Sequence, residues 1–288
     1  MKKNQITRGK VLLSLIVLLI GTIFIIQSCQ KSKEAVSQSS ILSEKEIASA
    51  REVGEIHNFI LSELPKYGEL ADMTPEIMFS NINKITNLKY GFKGNFVNHT
   101  YKNTSLDSGF SNFKLYKNQL LDIINNITDI KTFHSNLNSL ENKIINDKND
   151  FNKIEKIRII GTLSILNHSL DFWSGELQNA NSAWKKLYDI KKGLSGTSHA
   201  KNLQNTPQNM AGSSLPKRIG VEEANISDPL LNYVLAIVII DAISYDEEFN
   251  AYPCPASAAS DDKVYQNCMD AATQIASEQS AYASALAM

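Results

Sequence analysis

The stretch FNKIEKIRIIGTLSILNHSLDFW, Phe151–Trp173, has large apolar residues on more than one side of a helix. One set recurs every three or four residues, the spacing of one helical face: Phe151, Ile154, Ile157, Ile160, Leu163, Leu166, Leu170 and Trp173. Ile159 and Ile165 add a second apolar face. A helix that is apolar on several faces is buried in the interior. We therefore predict a buried helix here, capped by Asp150 and ended at Ser174-Gly175.

The flanking segments continue the helical pattern. From Phe113 to Ile144 apolar residues step by three and four, which predicts one long helix or two helices placed end to end. A short helix carrying Trp184 is expected to end with Gly193 as its C′ residue. Large aromatics at a helix break usually anchor a core, so Trp173 and Trp184 are predicted to be core residues.

The first helices of the soluble part have clear boundary signals. Ser43 and Glu46 have the spacing of a capping box, which predicts that a helix begins there. Pro65 is expected to stop that helix. Pro75 is expected at the first position of the next one.

The C-terminal part follows a polar segment, Leu194–Ile226, that is too long for a loop of a compact domain and is predicted to be a disordered linker. Beyond it, the apolar stretch Leu230–Ile243 predicts a core helix rather than a membrane span, since spanning needs about 20 apolar residues. Asp241 interrupts this stretch and is interpreted as the point where the helix meets water, because Asp246, Glu247 and Glu248 follow it. A functional carboxylate is the alternative, since acids with perturbed pKa values gather at functional sites.

These patterns predict an all-α fold, a helical bundle of about six to eight helices with a C-terminal helix pair after the linker. The predicted organisation is a signal peptide (1–28), a flexible tether (29–42), a bundle domain (43–193), the linker (194–227) and a helical hairpin (228–288).

The start of the chain has the layout of a secretory signal. Four cations precede an uncharged apolar run, Val11–Ile26, which ends at Ile26-Gln27-Ser28-Cys29. That run is short for a spanning helix and has the length of a signal-peptide apolar region.

The segment Ile26–Cys29 resembles the lipobox of bacterial lipoprotein precursors, although Gln27 is atypical inside that motif. The resemblance covers the first 29 or so residues. It implies removal of residues 1–28, lipidation of Cys29 and membrane anchoring in the bacterial cell envelope. The expected location is the outer membrane, with its periplasmic or surface face undecided. The rest of the chain resembles uncharacterised lipoproteins of Bacteroidota-type bacteria only in its general character. This resemblance implies no activity.

The charge of the mature part bears on its partners. Without the four leader cations, 25 Lys and Arg face 30 Asp and Glu, a net charge of −5. A nucleic-acid binder would carry a basic face, so no nucleic-acid partner is expected. The expected partners are the membrane, through lipidated Cys29, and an unidentified protein or ligand.

Cys254 and Cys268 remain once Cys29 is lipidated. An even pair in an oxidising compartment is predicted to form a disulfide, which would staple the last two helices. Two buried free thiols are the alternative.

Three histidines, His57, His134 and His168, fall near the apolar seams of predicted helices. They are predicted to be structural, and no metal or cofactor is expected, because the Glu-x-x-His pairs of di-iron bundles do not occur. No nucleophile elbow, phosphate loop or zinc-protease motif occurs either.

The leading function is therefore a non-catalytic, lipid-anchored binding module. One alternative is a helical enzyme using His57, His134 or His168, with or without a metal. Another is a membrane-active antagonist that acts through the C-terminal helix pair.

Overall fold

The structure is a computed structural model that describes residues 41–90, 114–148, 150–193, 229–251 and 262–288. Within these ranges the chain forms eight α-helices, two short 3-10 helices and no strand, which confirms the predicted all-α fold. The α-helices are α1 (Glu44–Glu63), α2 (Pro75–Tyr90), α3 (Lys114–Asn125), α4 (Ile130–Asn146), α5 (Lys153–Gln178), α6 (Ala183–Lys191), α7 (Pro229–Ala251) and α8 (Asp262–Ala287). The 3-10 helices are η1 (Leu64–Tyr67) and η2 (Leu70–Asp72).

Most predicted helix boundaries are confirmed. The Ser43 hydroxyl accepts from the Glu46 N–H at 3.3 Å, and the Glu46 carboxylate accepts from the Ser43 N–H at 2.7 Å, which completes the capping box. Helix α1 gives way at Leu64 to η1, which contains Pro65, and α2 begins at Pro75. Gly193 has a φ of 68°, the left-handed conformation expected just after a helix.

Both predicted ends of α5 are wrong by a few residues. The cap is Asn152, not Asp150, because Asn152 has Glu155 three residues on and the two form a second capping box. The helix passes through Ser174-Gly175 and ends at Gln178. A single glycine inside a helix costs only about 1 kcal/mol relative to alanine, so it need not end the helix.

The Phe113–Ile144 seam forms two helices rather than one. Helix α3 ends at Asn125, and Asp129 caps α4 by accepting from the Thr132 N–H at 2.8 Å. Helix α4 packs on both α3 and α5 through one apolar face, with Phe133, Leu137 and Ile144 buried. Helix α4 therefore lies over α5, and α3 packs on α4 to complete an outer layer.

Four helices, α1, α5, α7 and α8, form the central bundle. Helix α5 contacts α1 and α7, and α8 closes the ring by contacting α7 and α1. Helix α5 is buried without interruption from Lys156 to Leu166, as its apolar pattern predicts. Its direction opposes that of α7, since Arg158 pairs with Asp246 and Ser169 with Asp241.

The C-terminal helices supply half of this bundle. Val234, Val238 and Ile243 of α7 are buried in the same apolar core as α1 and α5, which confirms that Leu230–Ile243 is a core helix. The predicted bundle domain and the predicted hairpin thus share one core, while the linker 194–227 lies outside the described residues. No helix in the described part of the chain is long and apolar enough to cross a membrane.

Close approach of α1 and α5 depends on Gly54. A Cβ added there would lie 2.6 Å from the Ser164 carbonyl oxygen, which is backbone and cannot rotate away. We expect Gly54→Ala to lower the free energy of unfolding by about 2–3 kcal/mol, as overpacked cores do. Gly175→Ala is the matched control, because nothing lies within 4 Å of its Cβ position and alanine favours the helix by up to about 1 kcal/mol. Urea denaturation measures both; equal effects of the two changes would contradict the close packing.

Candidate functional site

Asp241 lies at the centre of the bundle with no exposed surface. Its carboxylate accepts hydrogen bonds from the Ser284 hydroxyl, the Ser169 hydroxyl and, at 3.2 Å, the Trp173 indole N–H. The interpretation of Asp241 as the point where the helix meets water is therefore wrong. It is wrong because hydroxyl and indole donors on neighbouring helices take the place of water.

His57 of α1 is equally buried and lies beside Asp241. Its Nε2 is 3.0 Å from the Ser284 hydroxyl and 3.4 Å from the Asp241 carboxylate. Its Nδ1 is 3.0 Å from the Asn58 side-chain oxygen, and the Asn58 amide in turn donates to the His168 carbonyl at 2.7 Å. Both ring nitrogens thus have partners inside the protein.

We call His57, Ser169, Trp173, Asp241 and Ser284 the Asp241 cluster. Each helix of the central bundle contributes to it: α1 gives His57, α5 gives Ser169 and Trp173, α7 gives Asp241 and α8 gives Ser284. A further bond from the Ser280 hydroxyl to the Asp241 carbonyl, 2.8 Å, fastens α8 to α7. One carboxylate therefore joins all four helices.

The cluster contains the residue types of a catalytic triad but not its geometry. In a triad the serine donates to one ring nitrogen of the histidine and the acid orients the other. Here the Ser284 hydroxyl donates directly to Asp241, and Asp241 lies on the same side of the ring as Ser284. All three side chains are fully buried, so the arrangement suits internal pairing better than attack on a substrate.

Trp173 and Trp184 both lie in the hydrophobic core. Trp173 and Trp184 are fully buried and pack edge to face with ring centroids 5.1 Å apart. The Trp184 indole donates to the Leu61 carbonyl at 3.2 Å, which joins α6 to the end of α1. The predicted core role of both residues is confirmed.

The other two helix histidines lie outside the Asp241 cluster: His134 of α4 faces α5, and the ring of His168 of α5 lies against Gly54 of α1. His134 contacts the Asn167 side-chain oxygen at 2.8 Å and the exposed Asp171 carboxylate at 2.9 Å. His168 is half-buried, and burial lowers the pKa of its imidazole. Within the described ranges, no group of three or more His, Cys, Asp or Glu side chains is placed to hold a metal ion.

A buried ion pair between Arg158 and Asp246, which was not predicted from the sequence, links α5 to α7. The Arg158 guanidinium donates to both oxygens of Asp246, each at 2.6 Å, and to the Asn250 side-chain oxygen at 3.0 Å. Burial raises the pKa of the Asp246 carboxyl to about 6, although Arg158 opposes this rise. The paired fork geometry makes this a directional link between the two helices.

Ser284 of the cluster and its neighbouring serines on α8 were also not predicted from the sequence. Ser277, Ser280 and Ser284 lie on the Ala-rich helix α8 with spacings of three and four residues, so they share a face. A hydroxyl stripe at helical spacing, together with one acid in an otherwise apolar helix, is the sequence signal that could have found the cluster.

The predicted lipid and disulfide sites fall largely outside the described residues. Cys29 and Cys254 are not among them, and Cys268 lies half-buried on α8. Lipidation of Cys29 and the Cys254–Cys268 disulfide therefore stay predictions.

Comparison with known proteins gives no match: no protein-family model, curated protein or solved structure is significantly similar to this chain.

Proposed function

We propose that this chain is a lipid-anchored protein of the bacterial cell envelope that binds a partner through the outer surface of its helical bundle and carries out no chemistry. The observation that most supports a role without catalysis is the Asp241 cluster. It uses an acid, a histidine and two serines, the residues most suited to catalysis, to hold four helices together. The groups that remain for function are then those of the outer helices.

The anchor part of the proposal rests on the sequence Val11–Cys29. A cysteine at the end of a short apolar run can carry a diacylglyceryl group and a further acyl chain. Stable anchoring needs more than one chain, because a single chain gives only reversible membrane binding. Residues 30–40, which follow Cys29, are mostly polar, which suits a tether between membrane and bundle, while Leu42 next to the cap Ser43 is already buried in the core.

The binding part of the proposal points to the outer layer formed by α3 and α4. Helix α4 buries Phe133, Leu137 and Leu140 and presents Lys131, Ser135, Asn138 and Ser139 to solvent. These side chains do not pack in the core and are therefore available to contact a partner.

The two alternatives have less support. An enzyme would use His57, His134 or His168. His57 already contacts Ser284 and His134 already contacts Asp171, and these two pairs lie on different sides of α5. For a membrane-active protein, α7 and α8 would have to leave the core and expose residues such as Val238 and Tyr282, which are buried against neighbouring helices.

Fatty-acid labelling tests the anchor. Cells expressing the chain are fed a clickable fatty acid, and the protein is captured and read for label. We expect wild type and Cys268→Ser to be labelled and Cys29→Ser to lose the label, because only Cys29 ends the apolar run. Equal labelling of Cys29→Ser and wild type would refute the proposed anchor.

A further inference from the structure

A buried acid outside the Asp241 cluster lies between α8 and α2. Glu278 of α8 has no exposed surface. One carboxyl oxygen is 3.4 Å from the Gln274 amide, and the other, Oε2, has no hydrogen-bond partner. Its remaining polar neighbour is the Thr86 hydroxyl of α2. An ionised carboxylate in such a place is costly, whereas a neutral acid is tolerated.

The surroundings of Glu278 favour the neutral form. Burial raises the pKa of its carboxyl to about 8, and its polar neighbours Thr86 and Gln274 oppose this only in part. No charged side chain of α1, α2, α5 or α7 in the described ranges contributes to this pKa. Among the residues that the structure describes, two cations are buried, Lys156 and Arg158, and both lie on α5; Arg158 is paired with Asp246 of α7.

Helix α2 is the element that this acid can affect. It lies outside the central bundle and contacts α8, α1 and η1. Ile82 and Thr86 are buried on the side that faces Glu278, and Phe79 packs edge to face on Tyr282, one turn along α8, with ring centroids 5.6 Å apart. The Thr86 hydroxyl donates its hydrogen to the Ile82 carbonyl at 3.1 Å, which leaves its oxygen able to accept a hydrogen bond from the O–H of neutral Glu278.

We propose that Glu278 is a proton-controlled latch, which lets α2 rest on α8 while the acid is neutral and releases α2 when the acid ionises. The central bundle stays folded in both states, because the Asp241 cluster and the Arg158–Asp246 pair lie outside the α2–α8 contact.

The direction of the pH effect follows from linkage. In the released state Glu278 is solvated and has its ordinary pKa near 4.5, while in the docked state its pKa is about 8. The docked state therefore binds more protons between these values, and docking weakens as pH rises. The equilibrium constant for opening α2 should rise by up to tenfold per pH unit from about pH 5 to pH 8, and then level off.

Amide hydrogen exchange on the full chain in detergent micelles measures this. Protection factors, which correct for the intrinsic pH dependence of exchange, are compared for α2 and α5 from pH 5 to pH 8. We expect protection of α2 to fall with pH while that of α5 stays constant. Glu278→Gln, which mimics the neutral acid, should remove the slope. Glu76→Gln should keep it, because Glu76 is exposed at the start of α2.

Three results would overturn the latch. The first is a protection factor of α2 that does not change with pH in the wild type. The others are the same pH dependence of α2 protection in Glu278→Gln, or an equal fall in the protection factors of α5. If Glu278→Gln does not fold, a measurement on the wild type alone still tests the latch. The carboxyl carbon resonance of Glu278 should titrate well above pH 6, and a midpoint near 4.5 would also refute the latch.

Discussion

Asp241→Ala should lower the free energy of unfolding by about 3–5 kcal/mol, the usual cost of removing one partner from a buried charged network. The change leaves the Ser169 hydroxyl and the Trp173 indole N–H without their acceptor in a buried site, whereas the Ser284 hydroxyl can still donate to the Ser280 carbonyl at 3.0 Å. Each buried donor left unpaired costs about 1–3 kcal/mol. Urea denaturation followed by circular dichroism measures the loss.

Asp171→Ala is the matched control for this change. Asp171 also pairs with a histidine, His134, but its side chain is 65% exposed, so its loss should cost under about 1 kcal/mol. Ser284→Ala, a milder change inside the cluster, should cost about 1–2 kcal/mol and keeps the test usable if Asp241→Ala does not fold. Similar small effects of the Asp241 and Asp171 changes would show that the cluster does not hold the bundle together.

Arg158→Met should be as damaging, by about 3–5 kcal/mol, because it leaves the Asp246 carboxylate buried without its cation. The two side chains are only 7% and 3% exposed, so water cannot replace the lost partner. Removing both charges with Arg158→Met and Asp246→Leu should cost less than Arg158→Met alone, because no unpaired charge is left behind.

Lys66→Met is the control for the pair. Lys66 forms an ion pair with Glu63 at the end of α1, but it is 65% exposed, and such surface pairs contribute about 0–1 kcal/mol. The Arg158 interpretation fails if the double change is more destabilising than Arg158→Met, since removing the stranded carboxylate would then give no relief.

The helices could be predicted from the sequence because their signals are local. The apolar spacing of Phe151–Trp173 marks α5, and the Ser43–Glu46 box and Pro75 mark two helix starts within a few residues. The start of α5 was misplaced because Asp150 and Asn152 are both good caps. The choice between them depends on the residue three positions later, which is Lys153 for Asp150 and Glu155 for Asn152. Only Glu155 can complete a capping box.

The Asp241 cluster could not be predicted in the same way, because its bonds are long-range. Asp241 meets Ser284 and Ser169 at sequence separations of 43 and 72 residues, and His57 meets Ser284 at a separation of 227. Periodicity tells which face of a helix is buried but not which residue lies opposite. From the sequence alone, an acid in an apolar helix can therefore mark either the point where the helix meets water or a buried residue that joins helices. Its neighbours in the fold decide between the two.

The shared core also affects how function can be tested. Helices α7 and α8 are half of the central bundle, so deleting residues 229–288 would remove the core partners of α1 and α5 along with any binding surface. Substitutions on exposed positions of α4, such as Lys131 and Asn138, leave the core intact and are the cleaner way to locate a partner.

The central claim is that the Asp241 cluster holds helices together rather than activating Ser284. Reaction of the folded, purified protein with a fluorophosphonate probe, read by intact mass and peptide mapping, tests it most directly, because such probes modify serines that a neighbouring base activates. We predict no adduct on Ser284 in the native protein. A stoichiometric adduct on Ser284 that Asp241→Asn or His57→Gln abolishes while the protein remains folded would contradict the account.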